Sequence, residues 1–213
     1  MESVSAEELQ PYLRPTRFID SDAPAVVQFA EIIAGHETTD AGQATRLFYA
    51  VRDSIIYDPY HIDLNPAAVR ASTILEQKFG FCVTKAILLA AAARVVGIPS
   101  RLGFADLRNY QTPPRLLELM GTDVFFHGYA ELLLDHRWVK ATPAYNLSMC
   151  ERFDFIPVEF DGRTDAVFHP FDRQGRRHVE YLRYYGTFPD LPYDQVIEIC
   201  RRYYPKWFGE ERG

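Results

Sequence analysis

The fold of this chain is decided by residues 79–99, FGFCVTKAILLAAAARVVGIP. Across 86–96 every residue except Arg94 is apolar, so a helix over this stretch would have no polar side. Such a helix has to be covered by other elements, which predicts that it lies in the middle of a domain. Gly80 before it and Gly97-Ile98-Pro99 after it are typical start and stop signals.

Cys82 lies in the first turn of this predicted helix. The unpaired N–H groups and the positive end of the helix dipole favour a thiolate over a thiol there. The position therefore suits a cysteine nucleophile. It suits equally well a small apolar side chain that only fills the core.

Composition limits the class of protein. The 213 residues, of which 47% are hydrophobic, are enough for one core, and we expect a single domain over residues 1–213. A net charge of −6 weighs against binding of nucleic acid or anionic membranes. The acidic amino terminus does not resemble a secretory signal, and no stretch approaches the roughly 18 apolar residues of a membrane span.

The cysteines indicate a reducing compartment. There are three of them, far apart and without a CxxC pair: Cys82, Cys150 and Cys200. This spacing favours neither a disulfide framework nor a structural zinc site. We therefore expect a cytoplasmic protein with no cofactor and no metal.

Hydrophobic periodicity predicts helices first and an antiparallel sheet later, which is the α+β class. Helices are predicted over 23–35, 40–56, 115–120 and 193–203, with a short capped helix beginning at Ser72. Strands are predicted over 100–106, 124–134 and 137–142, with short strands and loops across 150–190. The last two long strands form a hairpin that turns at Asp135-His136.

A cysteine nucleophile needs a base, and the base needs an orienting group. His127 is the best candidate base among the six histidines, because it lies on a strand that follows the cysteine helix. The hairpin register places Thr142 across from Tyr129, one diagonal step from His127 on the same face. Cysteine, histidine and a residue of the adjacent strand would then form a triad.

Two longer motifs carry a family resemblance. Gly80-Phe81-Cys82 opening a helix that ends in Gly97-Ile98-Pro99-Ser100-Arg101 resembles the cysteine motif of the transglutaminase-like superfamily. His127-Gly128-Tyr129-Ala130-Glu131-Leu132-Leu133-Leu134-Asp135-His136-Arg137-Trp138-Val139 is similar to its histidine motif. The resemblance covers about half of the chain. It implies that Cys82 is the nucleophile and His127 the base.

The same resemblance implies an architecture. We expect a transglutaminase-like or papain-like core over about 40–146, in which N-terminal helices surround the cysteine helix and this helix packs on an antiparallel sheet. Residues 147–213 would add C-terminal strands and a closing helix. Members of the superfamily include crosslinking enzymes, cysteine proteases and peptide deglycosylases, and some members have lost activity.

The chain departs from the family at the third triad position. An aspartate is expected four residues after Trp138, and Thr142 stands there. A threonine hydroxyl can accept a hydrogen bond from His127 but cannot stabilise an imidazolium by charge. Asn146 or Glu131 are two further candidates for orienting the histidine, although either is also an ordinary turn or surface residue.

Other residues have a functional and a plain structural interpretation. Gln77 would be an oxyanion donor or a surface residue, and Lys85 would lower the pKa of the thiol or extend its amine to solvent. A group of aromatic residues would line an apolar cleft or simply pack in the core: Tyr57, Tyr60, Tyr110 and Phe125-Phe126.

Two functions from different classes remain open. The first is a cysteine-dependent hydrolase or acyltransferase that acts on a peptide, a protein or a small amide or ester. The second is a binding or scaffold protein that kept the fold while the triad decayed at Thr142. Retention of both Cys82 and His127 favours the enzyme. Substrate, hydrolysis versus transfer, and oligomeric state stay open.

Overall fold

Most helices precede the main sheet, as the sequence predicts. The structure is a computed structural model that describes residues 5–208, so the two ends of the predicted 1–213 domain lie outside the described residues. Within this range the chain begins with five helices: α1 Ala6–Leu13, α2 Pro24–Ala34, α3 Asp40–Ser54, α4 Ala71–Gln77 and α5 Cys82–Val95. Two short strands, β1 Ile56–Tyr57 and β2 Phe79–Gly80, pair in parallel beside them.

The main sheet is antiparallel and has the strand order β5-β4-β3-β6. Its strands are β3 Ser100–Asn109, β4 Val124–Leu134, β5 Arg137–Ala141 and β6 Val179–Phe188. Three helices and a 3-10 helix complete the described chain: α6 Pro114–Met120, α7 Leu147–Phe153, α8 Tyr193–Tyr203 and the 3-10 helix Pro205–Phe208. The α+β class and the helix-on-sheet architecture are confirmed.

Helix α5 is the centre of the molecule. Every residue from Cys82 to Arg94 is buried, and the helix contacts α2, α3, α4, β3 and β4. The Arg94 guanidinium donates to the carbonyls of Arg14 at 2.6 Å, Ser100 at 2.9 Å and Pro189 at 2.5 Å. A buried cation needs such partners, so Arg94 ties the end of α1, the start of β3 and the segment after β6 to the central helix.

The hairpin register is as predicted. Leu134 pairs with Arg137, and the ladder continues to Ala130 with Ala141. Asp135 and His136 both have positive φ, 47° and 61°. A two-residue turn with this backbone matches the right-handed twist of the strands it joins.

Two local predictions were wrong. Ser72 does not cap α4: the helix follows Arg70, and the Ser72 hydroxyl donates instead to the buried carboxylate of Asp20 at 2.5 Å. The region 150–190 is not only short strands and loops, because α7 extends into it and β6 is ten residues long. Both errors arise where tertiary contacts outweigh local sequence preference.

None of the helices in the described range is long and apolar enough to cross a membrane.

We expect Ala90→Asp to unfold the protein. Ala90 is fully buried in α5, and an unpaired carboxylate there costs several kcal/mol, against a total stability of about 5–15 kcal/mol. The control is Ala25→Asp, in the exposed first turn of α2, where the helix dipole favours a carboxylate. Thermal melting followed by circular dichroism checks both. A cooperative, near-native melt of Ala90→Asp would contradict the buried placement of α5.

Candidate active site at the open edge of strand β4

Cys82 is the first residue of α5 and is 8% exposed. The turn before it is held by Thr84, whose Oγ1 accepts from the Phe81 N–H at 3.0 Å. Residue 80 has to be glycine for this, because a Cβ there would lie 2.5 Å from that oxygen. The sequence Gly-Phe-Cys thus fixes where the helix begins and where the thiol lies.

The thiol occupies a gap in the sheet. Strand β5 ends at Ala141, opposite Ala130, so β4 has no strand partner on this edge before Ala130. The Cys82 thiol contacts the Phe126 carbonyl at 3.9 Å, and the Tyr204 hydroxyl accepts from the Phe126 N–H at 2.6 Å. The sulfur therefore lies at the open edge of β4, beside the backbone of His127.

Gly128 allows α5 to come this close. A Cβ at this position would lie 2.9 Å from the Val83 Cα, a distance that backbone atoms cannot accommodate without moving. The first turn of α5 therefore rests directly on the strand backbone. Any side chain at 128 would push the thiol away from the edge.

The His127 ring is buried in an aromatic environment. It is 2% exposed, and its ring centroid lies 5.1 Å from that of Phe168 and 6.1 Å from that of Tyr129. Its Nε2 has no hydrogen-bond partner. No hydrogen bond joins His127 to Cys82 among the residues that the structure describes.

Burial controls the protonation of both groups. It raises the pKa of the Cys82 thiol to about 11, although the nearby N–H groups of Gly128 and Val83 act in the opposite direction. It lowers the pKa of His127 to about 3. At neutral pH the pair is thus a neutral thiol and a neutral imidazole. The helix dipole favours the thiolate, as the sequence indicates, but desolvation outweighs it here.

A cleft leads toward the thiol. We name it the aromatic cleft; it has a volume of about 530 Å³, and its aromatic lining consists of Tyr57, Tyr60, Phe125, Tyr145, Phe153 and Phe155. It shares Tyr57, Pro59 and Phe125 with a small cavity of about 30 Å³ that reaches Cys82. Tyr110 and Phe126, also predicted for such a cleft, are not part of its lining.

Comparison with known proteins decides the family. The model of the transglutaminase-like superfamily matches residues 27–143, more than half of the chain. The chain belongs to the transglutaminase-like superfamily. Among curated proteins no match is found.

Two solved structures illustrate what this chain is similar to. A candidate cysteine protease from Cytophaga hutchinsonii is 14% identical with a TM-score of 0.52, over 87% of this chain and 55% of the other. The periplasmic domain of TgpA from Pseudomonas aeruginosa is 15% identical with a TM-score of 0.47, over 66% of this chain and 48% of the other. This chain thus spans about half the length of these structures. The first likeness supports the fold alone.

Thr142, where the family resemblance predicts an aspartate, makes no polar contact with His127 among the described residues. Its N–H donates to the Ala166 carbonyl at 2.9 Å. Its buried Oγ1 lies beside the Tyr181 hydroxyl: burial raises the pKa of Tyr181, and the contact with Thr142 acts in the opposite direction. The Tyr181 ring also contacts His127, with centroids 6.3 Å apart. Thr142 and His127 therefore both contact Tyr181, and no carboxylate of the described residues lies between them.

The alternative orienting residues are engaged elsewhere. Asn146 accepts from the Tyr57 N–H at 2.6 Å, and its amide donates to the carbonyls of Arg52 and Ile55, the latter at 2.8 Å. Glu131 is paired with Arg101 at 2.6 Å. Asn146 thus holds the backbone between the end of α3 and β1 in place, and Glu131 neutralises Arg101.

Gln77 is likewise engaged locally. Its amide donates to the Phe79 carbonyl at 2.8 Å, in the segment just before the cysteine turn. Gln77 therefore stabilises the segment before the cysteine turn, and its amide points to the Phe79 carbonyl.

Two tyrosines near the thiol were missed, Tyr145 and Tyr204, whereas Tyr57 was among the residues predicted for an apolar cleft. Tyr204 contacts the edge of β4, and burial, followed by interaction with Cys82, raises the pKa values of Tyr57 and Tyr145. The sequence gives no signal for Tyr145 and Tyr204, because they approach from distant parts of the chain. Within residues 5–208 no three His, Cys, Asp or Glu side chains are grouped so that they could hold a metal.

Lys85 does not extend to solvent. It is fully buried, and its Nζ donates to the carbonyls of Arg52 at 2.8 Å and Ile55 at 2.5 Å. Lys85 and Asn146 therefore bind the same two carbonyls at the end of α3. Burial lowers the pKa of Lys85 to about 7.

This burial predicts a pH dependence of stability. Because the folded pKa of Lys85 is about 7, below the ordinary value of 10.5, the unfolded chain holds an extra proton between these values. The free energy of unfolding should therefore rise with pH from about 7 to about 10.5, and fall as pH decreases through that interval. Urea unfolding of the wild type and of Lys85→Met measures it. If the free energy of unfolding depended on pH equally in the two proteins, a lowered pKa of the buried Lys85 would be contradicted.

Proposed function

We propose that this chain is a cysteine-dependent acyl hydrolase or acyltransferase, in which Cys82 is the nucleophile and His127 the base. The observation that supports this best is the position of the thiol. It stands at the first turn of a buried helix, at an open strand edge beside the His127 backbone, and a cleft leads toward it. A cysteine that only fills the core requires neither the gap in the sheet nor the cleft.

The proposed reaction proceeds through an acyl-enzyme. His127 takes the proton of Cys82, and the sulfur attacks the carbonyl carbon of an amide or ester. The N–H groups in the first turn of α5, at the positive end of its dipole, are suited to stabilise the oxyanion. His127 returns the proton to the departing amine or alcohol. Water or a second amine then attacks the thioester and releases the acyl group.

The resting state opposes the first proton transfer. A thiol whose pKa is about 11 does not readily protonate an imidazole whose pKa is about 3. The proposal therefore requires the His127 ring to turn toward the thiol, or substrate to bring polar groups to both. Apo geometry alone does not exclude a catalytic pair, because such contacts often tighten only with substrate bound.

A binding or scaffold protein is the second candidate. The observation in its favour is that, among the described residues, neither Thr142 nor an anion is hydrogen-bonded to the buried His127, whose Nε2 has no partner. In that case the cleft binds a partner and Cys82 has no turnover.

The remaining parts of the proposal come from composition. We propose a single domain in the cytoplasm, acting on a peptide, a protein or a small amide or ester. Nucleic acid is not a proposed partner, because the net charge of −6 opposes it.

Acyl capture tests the enzyme. We expect p-nitrophenyl acetate to place one acetyl group on Cys82, followed by its loss to water, because the mechanism passes through a thioester. Intact-mass and peptide-mass spectrometry follow the adduct with time. Cys82→Ser should form no thioester, whereas Cys150→Ser, which alters a buried thiol in α7, should behave like the wild type. Labelling that persists in Cys82→Ser, or is absent from the wild type, counts against the proposal.

Thr142→Asp distinguishes the enzyme from the scaffold. If the Cys82–His127 pair functions, a carboxylate at 142 favours the imidazolium and raises the thiolate fraction, so alkylation of Cys82 by iodoacetamide should accelerate roughly tenfold. Thr142→Val should change little, because within residues 5–208 the hydroxyl lies beside Tyr181 and makes no hydrogen bond to His127.

Residue 142 is fully buried, so the melting temperature of each variant is measured beside its reactivity. If the carboxylate of Thr142→Asp prevents folding, Thr142→Asn provides a neutral hydrogen-bond acceptor instead. Thr142→Asn should then accelerate alkylation more weakly. A folded Thr142→Asp protein whose Cys82 is no more reactive than before would favour the scaffold.

A further inference from the structure

The mouth of the aromatic cleft exposes large apolar side chains. Ile56 is 64% exposed, Phe153 40% and Tyr60 39%, and all three line the cleft. Soluble domains seldom gather such groups at one concave site unless something binds there. A volume of about 530 Å³ lies within the range of ligand sites. It is sufficient for a few residues of peptide.

The same cleft presents a cation that has no counter-ion. Arg152 lies in the last turn of α7, lines the cleft and forms no ion pair among residues 5–208. The acidic residue of the lining, Asp58, is hydrogen-bonded to the His61 ring at 2.6 Å and to the Tyr60 N–H at 2.9 Å, and not to Arg152. The cleft therefore combines apolar walls with one unpaired positive charge at its rim.

The lining also offers hydrogen-bonding groups for a backbone. Ser148 is exposed, lies one turn before Arg152 on α7 and makes no hydrogen bond within the described range. Asn109, at the end of β3, accepts from the Gln111 N–H at 2.9 Å and donates one amide hydrogen to the Tyr145 hydroxyl at 3.4 Å, which leaves its second amide hydrogen for a ligand. Polar groups at separate places along a cleft suit a peptide, whose N–H and C=O groups recur, better than a fatty acyl chain, whose only polar group is terminal.

We propose that the aromatic cleft binds a peptide segment that carries a large apolar side chain next to a carboxylate. The apolar side chain lies between Tyr60 and Phe153, and the carboxylate pairs with Arg152. This carboxylate belongs either to an acidic residue or to a chain end. The inference rests on the proposed function, because it names the substrate class that the cleft would present to Cys82.

Binding to Cys82→Ser tests the inference without chemistry. Fluorescein-labelled Ala-Phe-Glu-Ala amide is compared by anisotropy with Ala-Ser-Glu-Ala amide and Ala-Phe-Gln-Ala amide. We expect loss of the phenyl group to weaken binding about tenfold, as for a buried aromatic side chain. Loss of the charge should weaken it about threefold, as for a partly exposed ion pair. Labelled Ala-Ala-Phe with a free carboxylate, compared with its amide, shows whether a chain end serves better than glutamate.

Matched variants assign the two contacts. Arg152→Gln should abolish the preference for Glu over Gln and keep that for Phe over Ser. Phe153→Ser should abolish the preference for Phe over Ser and keep that for Glu over Gln. The controls lie on β6, outside the cleft lining. Arg183→Gln is matched to Arg152→Gln, because Arg183 stacks on the Tyr185 ring as Arg152 stacks on the Phe153 ring. Leu182→Ser is matched to Phe153→Ser, because Leu182 is 42% exposed. Both should bind as the parent does.

Three results overturn the inference. The peptides bind equally or not at all, Arg152→Gln and Arg183→Gln have identical effects, or micromolar dodecanoate displaces the peptide, which would indicate a fatty acyl ligand.

Cys82→Ala replaces Cys82→Ser if the latter does not fold. Acetylation of Cys82 by p-nitrophenyl acetate does not depend on this peptide preference. If acyl capture succeeds and peptide selectivity fails, only the substrate class is wrong.

Discussion

The site depends on a contact between backbones, that of α5 at Val83 and that of β4 at Gly128. No side chain separates them, so the first turn of the helix lies on the strand rather than above it. The position of the thiol beside the strand, its contact with the Phe126 carbonyl and the burial of Cys82 all follow, whereas the His127 ring is buried by Tyr129, Phe168 and Tyr181. The opposed pKa shifts of the pair are thus a consequence of close packing.

A second constraint holds the walls of the cleft. The carbonyls of Arg52 and Ile55 at the end of α3 are bound by Lys85 from α5 and by Asn146 from the start of α7. One pair of acceptors therefore links the cysteine helix to the helix that carries Arg152 and Phe153. A lysine with a lowered pKa is tolerated there because the carbonyls satisfy its hydrogens.

Sequence patterns predicted what depends on local periodicity. The all-apolar run gave α5, alternation with the Asp135-His136 turn gave the hairpin and its register, and the paired motifs gave the superfamily. What failed depends on distant partners: Ser72 is drawn to Asp20 rather than to the helix end. Neither the roles of Lys85 and Asn146 nor the raised pKa of Cys82 can be deduced from spacing, because burial is set by the whole fold. The catalytic assignments themselves stay predictions.

The shortness of β5 has a consequence for how this site can change. The next hydrogen-bonded position after Ala141 is residue 143, and the ladder stops there because Pro143 has no N–H to offer Gly128. Two more residues of pairing would continue the hairpin along the edge that the sulfur now occupies. The length of one strand therefore decides whether this edge of β4 is open or paired. A longer β5 would place backbone against Gly128, beside the position of the sulfur, while Cys82 and His127 stayed unchanged in the sequence.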